Sequence, residues 1–170
     1  MDKTKIIYAE SGLCYDWKAI AANPHANHRP QMDLVAYKAQ YINSIAQARA
    51  CGQEPILTSL PIMDEDRYFA FITRGMTLQE RKNILYWLGG STVRLRNIHA
   101  LYNLSLFRIA SSHCVHIIDI TSPMLSHVNH LELLEMDGIS LSSVGQSVVD
   151  AEIKRTIALN GRTSSPSSKL

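Results

Sequence analysis

The sequence predicts a three-layer α/β fold in which helices cover both faces of a parallel sheet. Three short apolar runs, typical of buried strands, lie far apart in the chain, at residues 5–9, 55–60 and 115–120. Segments with helical periodicity lie between them, and a helical crossover between consecutive strands makes those strands parallel. Ligand sites in such sheets lie beyond the carboxyl ends of the strands, so we expect functional residues there.

The first predicted strand, Lys5–Ala9, is a short apolar run that ends before Ser11-Gly12. Residues 13–31 follow, and they contain Asn23-Pro24 and Arg29-Pro30, two pairs that favour turns. We therefore predict a loop over residues 13–31.

A helix is predicted from Asp33 to Cys51, with Gly52 as its stop signal. Its apolar residues recur at steps of three and four: Leu34, Tyr37, Tyr41, Ile45 and Ala48. The second strand, Pro55–Leu60, follows and ends at Pro61.

The middle of the chain predicts a loop and then two helices. Residues 62–76 mix acidic and aromatic side chains without a clear period, so we predict a loop there. Thr77 and Glu80 have the spacing of a capping box, which begins a helix that stops at Gly89-Gly90. A longer helix begins at Ser91, with one apolar stripe formed by Leu95, Ile98, Tyr102, Leu106 and Ile109.

The third strand, Val115–Ile120, leads through Ser122-Pro123 and a short apolar segment to a loop at Asp137. A final amphipathic helix is indicated by Val144, Val148, Val149 and Ile153. We predict one domain over residues 1–160 and a disordered, Ser-rich tail over 161–170.

Composition indicates a globular domain and excludes several classes of partner. The chain has 170 residues, 46% of them hydrophobic and 19% charged, and its net charge of +2 is spread without a basic cluster. We therefore expect no nucleic-acid partner, and no apolar run is long enough to predict a membrane span. The three cysteines form no CxxC pair, which favours reduced thiols, a cytoplasmic location and no metal site or cofactor.

The segment 135–146 carries the most specific motif in the chain. Its residues Asp137, Gly138, Ile139 and Gly145 match the last conserved block of SGNH/GDSL-type serine hydrolases, which contains Asp-x-x-His. In this sequence the histidine position of that block is occupied by Ser140. The segment resembles this family, and the resemblance implies that Asp137 is the catalytic acid and Ser140 a vacated base position. The other interpretation of Asp137-Gly138 is a plain turn before the last helix.

A serine at position 140 would remove the proton acceptor of the reaction. In a serine hydrolase a neutral imidazole takes the proton of the attacking hydroxyl, and a carboxylate holds that imidazole in the correct tautomer. A hydroxyl is a negligible base near neutral pH, and loss of the base in another serine hydrolase costs about a millionfold in turnover. The resemblance therefore implies a degenerate, inactive ester hydrolase.

The resemblance to SGNH hydrolases extends over most of the chain and implies their flavodoxin-like, three-layer fold. That fold has five parallel strands, so the three strands predicted here imply an incomplete, N-terminally truncated sheet that lacks the nucleophile block. In this register Gly12 and Asp16 correspond to the turn that supplies the oxyanion hole. A rival register makes Ala9-Glu10-Ser11 the nucleophile block and Ser11 the nucleophile.

Three functional hypotheses remain open from the sequence. The first is the degenerate hydrolase domain. The second is an active esterase that acts on a small-molecule ester through Ser11 or another serine with a non-standard base, a role that His127 or His130 could fill. The third is a non-catalytic binding or assembly module. A truncated sheet would expose residues 5–9 as an apolar edge, which predicts self-association.

Overall fold

The computed structural model describes residues 3–163, and its centre is a three-stranded parallel sheet. The strands are β1 (Thr4–Ile7), β2 (Glu54–Thr58) and β3 (His116–Ile118), with β2 in the middle. Ile6 of β1 is paired with Ile56 of β2, and Ile56 is in turn paired with His116 of β3. The predicted parallel sheet of three strands is therefore confirmed for the described residues.

Helices make up most of the rest of the described chain. In chain order they are α1 (Trp17–Ala22), α2 (Leu34–Ala50), α3 (Glu65–Ile72), α4 (Leu78–Trp87), α5 (Val93–Ser112), α6 (Thr121–Leu125) and α7 (Ser143–Thr163), with a 3-10 helix at His130–Leu133 between the last two. None of the helices in the described part of the chain combines the length and the apolarity that a membrane span requires.

The two faces of the sheet are covered by different helices, which gives the three predicted layers. Successive strand residues point to opposite faces, and Ile56 and Leu57 of β2 accordingly belong to two separate cores. Leu57 packs with α2 and α5, in a core that includes Tyr37, Tyr41, Ile45, Tyr102, Leu106 and Ile109. Ile56 packs with α6, the 3-10 helix and α7, in a core that includes Ile118, Met124, Leu133, Val149 and Ile153.

A third apolar cluster lies beyond the carboxyl ends of the strands, where the loops after β1 and β2 meet α1, α3, α4 and the start of α5. Its buried members are Leu13, Ile20, Ala21, Met63, Tyr68, Ile84, Leu88 and Leu95. The hydroxyl of Tyr68 donates a hydrogen bond to the carbonyl of Leu13 at 3.1 Å, which ties α3 to the loop after β1. These helices surround the edge of the sheet at which a ligand site is expected.

Two segments that the sequence predicts as loops contain short helices. α1 interrupts the predicted loop 13–31, and it begins where Asp16 accepts a hydrogen bond from the Ala19 amide at 2.9 Å. α3 lies within residues 62–76, and it begins where Asp64 accepts hydrogen bonds from two backbone amides of its first turn. Helices of six and eight residues are too short to show a clear hydrophobic period, and tertiary packing stabilises them instead.

The predicted tail, residues 161–170, overlaps the last helix by three residues. Helix α7 extends to Thr163. The remainder of the predicted tail, from residue 164 onward, lies outside the described residues.

Candidate active site

The middle of the carboxyl edge of the sheet is closed by buried hydrogen bonds. Ser59, directly after β2, is fully buried, and its hydroxyl oxygen accepts hydrogen bonds from the amides of Ile120 and Thr121. The Thr121 hydroxyl donates to the carbonyl of Leu60 at 2.6 Å and accepts from the side chain of Asn103. These bonds join the ends of β2 and β3 to α5, so the Ser59 hydroxyl has a structural role.

Asp137 and Ser140 form one closed turn. Asp137 Oδ1 accepts hydrogen bonds from the amides of Ile139 at 3.0 Å and Ser140 at 2.9 Å. The hydroxyl of Ser140 donates to Asp137 Oδ2 at 2.5 Å. Both carboxylate oxygens therefore have donors that come from the next three residues of the chain.

The electrostatics of this turn favour a charged carboxylate. Partial burial raises the pKa of Asp137, but the hydrogen bonds from the Ser140 hydroxyl and from the amides of Ile139 and Ser140 outweigh it, and the pKa lies below its usual value. Asp137 is thus ionised at neutral pH, and its negative charge is already solvated by its own turn.

The same turn occurs a second time, at Asp119 and Ser122. Asp119 Oδ1 accepts from the Ser122 amide at 3.0 Å, and Asp119 Oδ2 accepts from the Ser122 hydroxyl at 2.5 Å. An Asp followed by a Ser three residues later closes its own backbone in both places, which is a common local use of these residue types. The geometry at Asp137 therefore has a structural explanation that does not require catalysis.

Gly138 anchors the Asp137 turn to the rest of the domain. Its carbonyl accepts a hydrogen bond from the Asp64 amide at 2.9 Å, at the beginning of α3. Its φ is +72°, and a Cβ atom at this position would lie 2.5 Å from the carbonyl oxygen of Asp64. Only glycine satisfies both the left-handed backbone and the close contact.

Ser11 contacts a histidine that the sequence analysis did not select. Ser11 Oγ lies 3.1 Å from His99 Nδ1, and the two residues are 88 positions apart in the chain. His99 Nε2 lies 2.9 Å from the carbonyl oxygen of Pro61. Because a carbonyl oxygen can only accept, the ring carries its proton on Nε2, and Nδ1 of the neutral ring accepts the Ser11 proton.

His99 is a buried, neutral imidazole. Its exposed fraction is 6%, and burial lowers its pKa, which the hydrogen bond to Pro61 opposes only in part. A neutral ring at pH 7 is the form that can accept a proton from a hydroxyl. The Ser11–His99 pair therefore has a donor, an acceptor and a backbone carbonyl that orients the ring, and it has no carboxylate.

The sequence contains one signal for His99. Positions 95, 99, 102, 106 and 109 form one buried stripe of α5, and His99 is the polar residue in that stripe. A polar side chain at a buried helical position needs a partner, but the partner is on a distant loop and is not visible in the sequence.

Among the other predicted site residues, Gly12 directly follows Ser11, while Asp16, His127 and His130 have no hydrogen bond to the pair in the described structure. Gly12 is buried where a Cβ atom would lie 2.0 Å from the ring of Tyr102. Asp16 is exposed at the start of α1 and caps that helix. His130 is the first residue of the 3-10 helix, and His127 precedes that helix, where its Nδ1 accepts a hydrogen bond from the Asn129 amide at 3.3 Å.

In residues 3–163, no group of three or more His, Cys, Asp or Glu side chains is placed to hold a metal ion. No protein-family model matches the chain, and no curated protein matches it.

Solved structures identify the fold. A lipase/acylhydrolase from Enterococcus faecalis superimposes with a TM-score of 0.51 at 18% sequence identity, over 91% of this chain and 60% of that one. A GDSL-like lipase from Bacteroides thetaiotaomicron gives a TM-score of 0.49 at 16% identity, over 93% of this chain and 63% of that one. This chain thus spans less than two thirds of the length of either structure. The likeness to the first of them, together with the three-layer arrangement around a parallel sheet, shows that the chain has an SGNH/GDSL-type, flavodoxin-like α/β fold.

Proposed function

We propose that this chain is a catalytically inactive domain built on the GDSL-type hydrolase fold. The observation that carries the proposal is the Asp137 turn, in which the carboxylate is saturated by the amides of Ile139 and Ser140 and by the Ser140 hydroxyl. In an active relay the carboxylate orients an imidazole, and the imidazole takes the proton of the nucleophile. The Ser140 hydroxyl donates a hydrogen bond to Asp137 instead, so this turn holds a carboxylate without a base.

The test is to supply the missing base and to compare it with a matched control. Ser140→His places an imidazole three residues after Asp137, and Ser122→His places one three residues after Asp119 in the second turn of the same geometry. We expect the wild-type chain to release no p-nitrophenol from p-nitrophenyl acetate above background, and the two variants to show the same slow rate. Wild-type turnover above background would refute the proposal. A Ser140→His rate more than tenfold above that of Ser122→His would show that a nucleophile lies within reach of Asp137 and that only the base is missing.

A second candidate function is an esterase that uses the Ser11–His99 pair, and the 3.1 Å contact between Ser11 Oγ and His99 Nδ1 favours it. In this reaction Ser11 Oγ attacks the ester carbonyl while His99 Nδ1 takes the hydroxyl proton. The imidazolium then returns that proton to the departing alcohol, and a water molecule releases the acyl group from Ser11 by the reverse sequence. The carbonyl of Pro61 would hold the ring in place of a carboxylate.

Two substitutions distinguish this candidate function from the first. If Ser11–His99 hydrolyses esters, Ser11→Ala and His99→Gln each abolish turnover of p-nitrophenyl acetate, and kcat/KM falls as pH decreases through the pKa of His99. Ser105→Ala is the control, because Ser105 lies on the same helix and its hydroxyl bonds only to the Leu101 carbonyl in the described structure. Equal rates for all three variants and the wild type would exclude the pair as a catalyst.

We also propose a binding or assembly role that includes self-association through β1. β1 is an edge strand of the described sheet, and Tyr8, which directly follows it, is 59% exposed. Exposed strand edges favour pairing with another chain. Light scattering coupled to gel filtration tests this role, since a monodisperse monomer at all concentrations would contradict it.

We also propose a cytoplasmic location, because the three cysteines are unpaired. Cys14, Cys51 and Cys114 are free and exposed, and unpaired thiols persist in reducing compartments. Thiol titration of protein isolated under non-reducing conditions tests it, and the expected result is three reactive thiols per chain.

A further inference from the structure

An aromatic cleft opens between the beginning of α1 and the loop that follows α3. Its volume is about 670 Å³, within the range of small-molecule sites. Tyr15, Trp17, Ile72 and Met76 form its apolar part, while Asp16, Lys18, Gln31, Arg74, Gly75 and Glu80 complete the lining. The cleft is made by residues other than the Ser11–His99 pair and the Asp137 turn.

Two aromatic side chains of the cleft, Tyr15 and Trp17, form one connected cluster with Trp87, which packs against both of them but does not line the cleft. The ring centroid of Tyr15 lies 5.3 Å from that of Trp17 and 5.1 Å from that of Trp87, and the two tryptophans are 6.2 Å apart. All three side chains are half-buried. Because each ring is fixed by its neighbours and yet reaches the surface, the cluster offers a planar ligand a preorganised surface for stacking.

The two acidic side chains of the cleft each cap the beginning of a helix. Asp16 accepts from the Ala19 amide at the start of α1. Glu80 accepts from the amide and the hydroxyl of Thr77 in the capping box of α4, and these bonds hold the pKa of Glu80 below its usual value. Each carboxylate therefore accepts a hydrogen bond at the beginning of a helix, and the positive end of that helix offsets part of its negative field.

The two basic side chains of the cleft lack such partners. Lys18 and Arg74 are exposed, and neither takes part in an ion pair within the described residues. Arg74 lies over the ring of Phe71 at 5.5 Å, which limits the positions its guanidinium can take. The charge of Arg94 also reaches Tyr15, where it opposes the rise in pKa that burial causes. Cationic groups beside an aromatic surface favour a ligand that is planar and negatively charged.

We propose that this cleft binds a small aromatic carboxylate. The ring of the ligand stacks against Tyr15 and Trp17, and its carboxylate pairs with Arg74 and Lys18. A cationic ligand is disfavoured because these two groups would repel it, and a neutral aromatic ligand would gain only the stacking. The inference needs no catalysis, so it stands or falls independently of the proposed function.

The two tryptophans of the chain make the test local, because both lie in this cluster. A ¹H–¹⁵N spectrum of the full chain therefore contains two indole signals. The Trp17 signal reports on the cleft directly, and the Trp87 signal reports on the ring that packs against Trp17. We would titrate three probes of equal shape: 2-naphthoate, the neutral 2-naphthamide and the cationic 2-naphthylmethylamine. The expected result is saturable shifts of both indole signals, with 2-naphthoate binding about five- to tenfold more tightly than 2-naphthamide and the amine binding most weakly.

Charge removal tests the role of the basic side chains. Arg74→Gln and Lys18→Gln should each weaken 2-naphthoate binding about two- to fivefold, as expected for exposed ion pairs, and leave 2-naphthamide binding unchanged. Lys154→Gln, an exposed position on α7, is the matched control and should change neither affinity. The proposal is overturned if 2-naphthoate does not bind, if the amide or the amine binds as tightly, or if Lys154→Gln has the same effect as Arg74→Gln.

Discussion

The Ser11–His99 pair and the Asp137 turn each contain two of the three groups of a hydrolytic relay. The pair has a hydroxyl and an imidazole, brought together across 88 positions of the chain. The turn has a carboxylate and a hydroxyl three positions apart. The Asp137 turn shows that a motif with the residue spacing of a relay can serve only to close its own turn. The Ser11–His99 pair shows that two groups with the chemistry of a relay can meet where the sequence has no motif.

The Ser11–His99 pair and the Asp137 turn also differ in how much of the fold depends on their hydrogen bonds. His99 is buried, and its two ring nitrogens join the loop after β1 and the loop after β2 to α5. Ser140 is exposed, and its side chain bonds only within its own turn in the described structure. Substitutions should therefore be costly at the first place and mild at the second, except at Gly138.

The largest effect is expected for His99→Ala. The substitution leaves a cavity and removes the partners of the Ser11 hydroxyl and the Pro61 carbonyl, so the free energy of unfolding should fall by about 3–5 kcal/mol. Urea denaturation followed by circular dichroism measures the change. His130→Ala is the exposed control and should lie within about 0.5 kcal/mol of the wild type. Equal losses for the two variants would show that the Ser11–His99 pair does not support the fold.

Gly138→Ala should have the next largest effect. The new Cβ atom meets the Asp64 carbonyl, and the alanine must adopt a left-handed backbone conformation. We therefore expect the free energy of unfolding to fall by about 2–4 kcal/mol. Gly75→Ala separates these causes, because Gly75 has a φ of +77° and nothing within 4 Å of its added Cβ atom. Its loss should be about 1–2 kcal/mol from the backbone alone. Identical losses would mean that the contact with Asp64 relaxes freely.

The Ser11–His99 pair and the Asp137 turn should affect the pH dependence of stability in different pH ranges. The pKa of His99 is lowered in the folded state from 6.5, so the unfolded chain binds a proton first and stability falls as pH decreases below 6.5. The pKa of Asp137 is lowered from 3.8, so its contribution is present above that value and is lost as pH falls through the folded pKa. Unfolding free energies measured from pH 8 to pH 3 should show that His99→Gln removes the first decline. Asp137→Asn should affect only the second.

The smallest effects are expected in the two Asp-x-x-Ser turns. Ser140→Ala and Ser122→Ala each remove one hydroxyl donor to a carboxylate that keeps its backbone donor, so each should cost about 0.5–1.5 kcal/mol. Thermal unfolding of the two variants provides the comparison. A much larger loss for Ser140→Ala would show that its hydroxyl has a role beyond closing the turn.

The sequence predicted the parts of the fold that depend on neighbouring residues. The three strands were visible as apolar runs, and the Thr77–Glu80 capping box forms as its spacing predicts, with α4 beginning at Leu78. The helices α1 and α3 were missed because their Asp caps had no hydrophobic period after them, and packing around Tyr68 and Leu13 completes them.

In the candidate site, too, local features were predictable from the sequence and long-range contacts were not. The sequence alone determined the layered fold and the charged turn at Asp137, because side-chain alternation and a cap within three residues act over short distances. Only the tertiary structure decided that His99 meets Ser11, that Asp137 has no imidazole partner among the described residues, and that the two tryptophans share one aromatic cluster. Those contacts depend on how helices and loops pack around the sheet, which no local pattern specifies.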